Sequence, residues 1–321
     1  MTPFSVDRQE GGQTLAAVLR RRLQLTWSQT TKLIEEKKVK LAGQICGDAA
    51  RRVLPGQRIE VVAPKPKKKP PAAPKLGFRE TKSAPIPEGV SIVYSEEQVV
   101  VVDKPPGLTT MRHAEEAEEF GQRGRKFLPV TLADLLPRLL NDRRPIIAVH
   151  RLDRDTSGLV VFARTPEAAK HLGRQFRAHT TLRTYLAVCR GTPANGRIES
   201  WFVRDRGDGR RGSGPSGEGQ RAVTHIKVIH ELGPLSLVEC RLETGRTHQV
   251  RIHLGEQGTP LAGERLYDRP LHGKPLADPS GAKRIALHAA TLGFAHPASG
   301  NAMKWASPMP EDMRELVEKF S

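Results

Sequence analysis

Cysteine is scarce in this 321-residue chain. There are three, Cys46, Cys189 and Cys240, far apart and without a Cys-x-x-Cys pair. An odd, dispersed set speaks against a disulfide framework and a structural zinc site. It fits small buried residues in a reducing compartment. Long apolar runs are also missing: no stretch approaches the roughly 20 residues that span a bilayer. The opening stretch, Met1 to Gly12, is polar and carries Asp7 and Glu10. It lacks the basic start and apolar run of a secretion signal. These absences lead us to expect a cytoplasmic protein with no membrane partner. Acidic residues are in deficit, 35 Asp and Glu against 52 Lys and Arg, for a net charge of +17. Such an excess points to a polyanion, bound with steep salt dependence through counterion release. A basic but otherwise ordinary soluble protein is the plainer alternative. Hydrophobic residues make up 37% of the chain, enough for a core.

Three regions differ in composition. In residues 13–62, Leu15, Val18, Leu19 and Leu23 recur at helical spacing. Ser28 is placed to cap a second helix through Leu33 and Ile34. Two short strands are expected at Val39-Lys40-Leu41 and Arg58 to Val62, with turns at Gly43 and Pro55-Gly56. Residues 63–87 form a Pro/Lys-rich linker, read as extended and solvated. Residues 88–321 hold more strand-like runs than helical ones, without strict alternation. Strands are expected at Ile92-Val93-Tyr94, Val99 to Val102, Ile146 to Val149, Leu159 to Ala163, Thr184 to Val188, Thr224 to Val228, Leu235 to Leu242 and His248 to His253. Helices are expected near Leu132 to Leu140 and Pro166 to His179. This is an α+β pattern with a mostly antiparallel sheet flanked by helices. The glycine-rich, charged stretch Asp205 to Gly219 reads as a mobile loop, and the charged segment Met111 to Lys126 as a surface insertion.

The densest polar constellation is His150-Arg151-Leu152-Asp153-Arg154-Asp155-Thr156-Ser157-Gly158, set between two apolar runs. By its residues alone it is either a salt-bridged turn or a site carried on rigid strands. It resembles the catalytic motif of the RluA-like family of pseudouridine synthases. Three further stretches resemble that family in order: Val101 to Leu108, Leu242 to Leu254, and Leu287-His288-Ala289 through His296-Pro297. The opening His150 and the Thr156-Ser157-Gly158 step favour the large-subunit ribosomal RNA type. Residues 13–62 resemble the alpha-L RNA-binding module of the S-four ribosomal-protein type.

The resemblance implies a synthase that isomerises uridine in RNA, with ribosomal RNA favoured and transfer RNA possible, and with no cofactor, metal or obligate protein partner. It assigns catalysis to Asp153, as nucleophile or base, with Arg251 as its ion-pair partner and Tyr185 stacking on the base and relaying a proton. Arg154 is the candidate to fill the gap left by an extruded base, Leu292 the apolar floor beneath it, and His150 a further substrate contact, more structural than catalytic. In the small module, Arg20, Arg21, Arg22, Lys32, Lys37 and Lys38 would meet the phosphate backbone. Two rivals stand beside this. One is a metal-dependent nuclease or phosphatase using His150, Asp153, Asp155 and His248 or His253, in which the intervening Arg154 would repel a cation. The other is a noncatalytic RNA-binding protein on the same fold.

Overall fold

Helix α1 (Leu15–Leu23) starts where Thr14, in extended backbone, accepts the Ala17 N–H on its side chain. It stops at Gln24, which turns left-handed. Its buried residues Leu15, Ala16, Val18 and Leu19 make one apolar stripe. That stripe packs on Ile34, Val39, Val53 and Ile59. In this computed structural model the described residues are 3–8, 10–25, 30, 33–34, 37–48, 51–61, 86–112, 129–142, 144, 146–271 and 273–321. Ser28, Lys32, Val62, the linker apart from Ile86 and Pro87, and the charged segment beyond Arg112 lie outside them. The chain divides into two units, residues 1–77 and 78–321.

The small unit adds four antiparallel strands to α1: β1 (Phe4–Ser5), β2 (Val39–Leu41), β3 (Gln44–Ile45) and β4 (Arg58–Val61), in the order β1-β4-β2-β3. The β2–β3 hairpin turns on Ala42-Gly43, both with positive φ. That two-residue geometry matches the twist of the paired strands. Two of the expected RNA contacts also have an internal partner. The Glu10 side chain is fully buried, with Arg21 at 2.7 Å and Arg22 at 2.7 Å, and Arg22 also reaches Asp7 at 2.8 Å. The bond from Arg22, more than offsetting burial, holds the Glu10 carboxyl down at about 2. Arg21 and Arg22 therefore neutralise an internal carboxylate while their own side chains stay exposed. Arg20 and Lys37 are exposed and Lys38 is half-buried.

The large unit is built on one eleven-stranded mixed sheet. Its strands are β5 (Ser91–Ser95), β6 (Val99–Lys104), β7 (Ile147–Ala148), β8 (Ser157–Ala163), β9 (Leu182–Arg190), β10 (Gly196–Val203), β11 (Gly212–Gly214), β12 (Gln220–Leu232), β13 (Leu235–Leu242), β14 (Leu287–Ala295) and β15 (Ala302–Ala306). The order is β11-β10-β12-β13-β9-β14-β8-β6-β5, with β15 on β14 and β7 on β8. Among the described residues only β8 and β14 pair in parallel. Strands β6 and β8 are buried on both faces, which explains their unbroken apolar runs. Val100, Val102, Val160 and Phe162 meet Leu132, Leu135 and Leu136 of α2 (Leu132–Leu139). The alternate residues Val99, Val101, Leu159 and Val161 meet Ala168 and Leu172 of α3 (Pro166–Arg177). Helix α5 (Glu311–Phe320) seats Met313 and Leu316 on Leu235 and Leu237. The architecture is α+β. Among the described residues no helix is long and apolar enough to cross a membrane.

Two expectations fail here. The run His248 to His253 is not a strand: Gln249–Glu256 forms helix α4. Val250, Ile252 and Leu254 alternate with Arg251 and His253, which imitates a half-exposed strand. Yet Arg251 and His253 are also buried, each with internal partners. The stretch Asp205 to Gly219 is pinned. Gly212–Gly214 pairs with β10, and the buried Arg206 bonds Asp208 and Glu256. Glu256 also accepts from the Ser213 backbone N–H and hydroxyl.

Candidate active site

The loop that joins β7 to β8 is stitched down on both sides of Asp153. Before it, the Thr110 hydroxyl donates to the Leu152 carbonyl at 2.9 Å and accepts the Leu152 N–H at 3.1 Å. After it, the buried Lys104 ammonium donates to the carbonyls of Pro105, Leu108 and Arg154 at 2.8, 2.8 and 3.0 Å. Burial draws Lys104 down to about 7, while three carbonyl acceptors call for all three N–H bonds of the charged form. The loop ends at Gly158 (φ +109°), where a Cβ would lie 2.4 Å from the Ala289 carbonyl oxygen. Only glycine fits both that dihedral and that approach.

Asp153 opens into a pocket whose walls include Leu152, Thr156, Tyr185, Leu242, Val250 and Leu287. One carboxylate oxygen, Oδ2, faces two nitrogens: Arg251 Nη1 at 3.4 Å and His248 Nε2 at 3.8 Å. Among the described residues Oδ1 has no hydrogen-bond partner.

Arg251, on α4, is itself held from behind. Its Nε and Nη2 grip the fully buried Glu264 side chain at 2.7 and 3.0 Å. Glu264 Oε1 also accepts the backbone N–H groups of Arg265, Leu266 and Tyr267. Burial acts against the charge on both partners, and their mutual bonds outweigh it. Arg251 is raised and Glu264 lowered from their ordinary values. The remaining nitrogen, Nη1, is thereby aimed at Asp153. His248 sits in left-handed backbone (φ +60°) ahead of α4, its Nδ1 2.9 Å from the Tyr267 hydroxyl. Burial, working against nearby Asp153, lowers its pKa and favours neutral imidazole. Tyr185, on β9, is pushed up to about 12 by burial, so its phenol keeps its proton.

Asp153, Tyr185 and Arg251 therefore meet in one pocket. Three other expected residues stand differently. His150 does not line the pocket: its Nε2 accepts the Val161 N–H at 3.0 Å and its ring stacks on Phe176 at 4.4 Å. Leu292 is no floor to the pocket. It is buried with Val99, Val101, Leu159 and Phe294, and Leu287 lines the pocket in its place. Arg154 is exposed and pairs with Asp155 at 3.2 Å. Glu264, Tyr267 and Thr110 had no signal in the sequence. Each lies in a stretch without periodicity and acts on a partner distant in the chain. The ligands imagined for a metal are dispersed or engaged: His150 as above, and His253 bonded to Ser200 and Thr224. Among the described residues no group of three His, Cys, Asp or Glu could hold a metal ion.

Residues 98–256 match the family model described as RNA pseudouridylate synthase. A ribosomal large subunit pseudouridine synthase D from Neisseria meningitidis is 39% identical over 240 residues, which span 73% of this chain and 62% of that protein's length. The protein of the same name from Zymomonas mobilis is 37% identical over 251 residues, 76% of each chain. Among solved structures, human RNA Pseudouridylate Synthase Domain Containing 4 resembles this chain in fold, with TM-score 0.56 and 22% identity over 72% of this chain and 92% of that one.

Proposed function

The chain belongs to the RNA pseudouridylate synthase family, and on that premise we propose that it isomerises uridine to pseudouridine in RNA, with large-subunit ribosomal RNA as substrate. The observation that carries this is the pocket carboxylate: Asp153 has one oxygen set against Arg251 and His248 and the other unbonded among the described residues. In the reaction the bond from the ribose C1′ to uracil N1 breaks and one from C1′ to C5 forms. C5 loses a proton and N1 gains one, so atoms and electrons balance within the nucleoside. A carboxylate serves as nucleophile or base, and Arg251 keeps it aimed. The protonated Tyr185 phenol offers a ring face for the base and a proton for relay. Arg154, exposed at the edge of the loop, occupies the space of an extruded base. The choice of ribosomal RNA rests on the names of the two bacterial relatives, and the net charge of +17 suits RNA of either kind. Transfer RNA is the alternative substrate.

Two measurements test this. Purified protein should release tritium from uracil-5-labelled ribosomal transcripts at a rate unchanged by EDTA. No tritium release, with RNA cleavage that EDTA abolishes and a divalent metal restores, would favour the nuclease-like alternative, and release from transfer RNA alone would redirect the substrate. The small unit, in this proposal, adds phosphate contacts through Arg20, Lys37 and Lys38. Their triple replacement by Ala should flatten the slope of log affinity against log salt by about 2, at roughly 0.7 per single-strand phosphate. An unaltered slope would remove RNA binding from that unit. A cytoplasmic location belongs to the same proposal and is checked by cell fractionation.

A further inference from the structure

Five arginines are buried among the described residues: Arg164, Arg183, Arg190, Arg206 and Arg251. Four have carboxylate partners: Asp142 for Arg164, Asp278 for Arg190, Asp208 and Glu256 for Arg206, Glu264 for Arg251. Arg183 is the exception. It is 7% exposed, and its Nη2 donates to the Glu243 backbone carbonyl at 2.8 Å. Its Nε is buried with no hydrogen-bond partner. Its carbon lies 5.6 Å from the Phe176 ring centroid. Burial lowers its pKa, as expected of a cation without a counter-charge.

The placement of this group is specific. Arg183 precedes Tyr185 by two residues on β9, so both side chains leave the same face of the sheet. Its Nη1 fills the space a side chain at Gly245 would occupy, 2.3 Å from the ideal Cβ position. On the other side of Gly245 in sequence is Arg246, which lines the Asp153 pocket and donates from Nε to the Arg221 carbonyl at 2.9 Å. Among the described residues no carboxylate pairs with Arg246 either. Glu243, three residues before it in the chain, is engaged by His225 at 2.7 Å, Arg197 at 3.5 Å and Arg221 at 4.0 Å.

A buried guanidinium left without an anion is costly, and an anion that arrives with two hydrogen-bonding oxygens offsets that cost. We propose that Arg183 and Arg246, on either side of Gly245, form a phosphodiester subsite. It holds the RNA backbone phosphate next to the uridine seated against Asp153 and Tyr185. The spacing suits this, since two residues along a strand cover roughly 6.6 Å, comparable to one nucleotide step. This inference rests on the RNA reading above and names where that RNA is gripped.

The test uses full-length protein carrying Asp153→Asn, so that binding is measured without turnover. The probe is a fluorescein-labelled oligouridylate, titrated across a series of KCl concentrations. Arg183→Met and Arg246→Met should each weaken binding and reduce the slope of log affinity against log salt by about 0.7. Arg183→Lys should keep the slope, because it keeps the charge. Gly245→Ala, which crowds Nη1, should weaken binding in the otherwise intact site. If Arg183→Met or Arg246→Met leaves the slope unchanged, the subsite is overturned, whatever happens to melting temperature. Should Arg183→Met fail to fold, Arg246→Met and Arg183→Lys still decide the matter. Lowered slopes without tritium release by the wild type would leave the subsite standing and sink only the isomerase proposal. Tritium release with unaltered slopes would do the reverse.

Discussion

Asp153→Asn should abolish tritium release from uracil-5-labelled RNA, by on the order of 10⁴-fold or more, the scale seen when a nucleophile or its orienting base is removed. That corresponds to about 5 kcal/mol of lost transition-state stabilisation. Folding should be nearly untouched. Asparagine has the same shape, and its amide oxygen still accepts from Arg251. The Arg251 charge also stays neutralised, because its shortest contacts are to Glu264 at 2.7 and 3.0 Å. Affinity for RNA should stay close to wild type, as no phosphate contact is lost. The measurement is single-turnover release alongside a melting curve. A variant that still releases tritium at a substantial rate would remove Asp153 from the chemistry.

The largest effect on stability is expected at Glu264. In Glu264→Ala, Arg251 loses its buried partner and the backbone N–H groups of residues 265–267 lose their acceptor. Breaking one side of a buried pair costs about 3–5 kcal/mol, which should lower the melting temperature of a unit this size by about 10 °C or more. Glu264→Gln separates structure from function. It keeps the volume and an acceptor oxygen but removes the charge that fixes the Arg251 fork. It should stay folded and bind RNA, with kcat reduced by roughly 10²-fold as the cation beside Asp153 loses its aim. An unaltered kcat in Glu264→Gln would show that Arg251 needs no such support.

How far the sequence revealed this depended on what each residue pattern encodes. The apolar runs of β6, β8 and β13 and the helical spacing of α2 and α3 were legible, because burial on one or both faces writes itself into adjacent positions. Helix α4 was not, since its polar residues are buried and its alternation imitates a strand. Leu292 was misplaced for a related reason. The register of β14 against β9 shifts between His288 and Thr291, so simple alternation cannot be carried from Leu287 across to Leu292. Asp153, Tyr185 and Arg251 were found through their motifs, which preserve chemistry independent of periodicity. Lys104 lay inside the Val101 to Leu108 motif, but its bond to the Arg154 carbonyl, like the contacts of Glu264 with Arg251, is recorded by no local pattern.

The stitches around Asp153 also set a schedule. Lys104 reaches the Arg154 carbonyl across 50 positions, and Arg251 reaches Asp153 across 98. A ribosome adds roughly 5–20 residues per second, so the aspartate emerges several seconds before the arginine that orients it. Closing loops of this length must wait for both ends. A nascent chain can thus display the whole His150 to Gly158 motif with no organised site around it, and competence arrives only after Glu264 has been made.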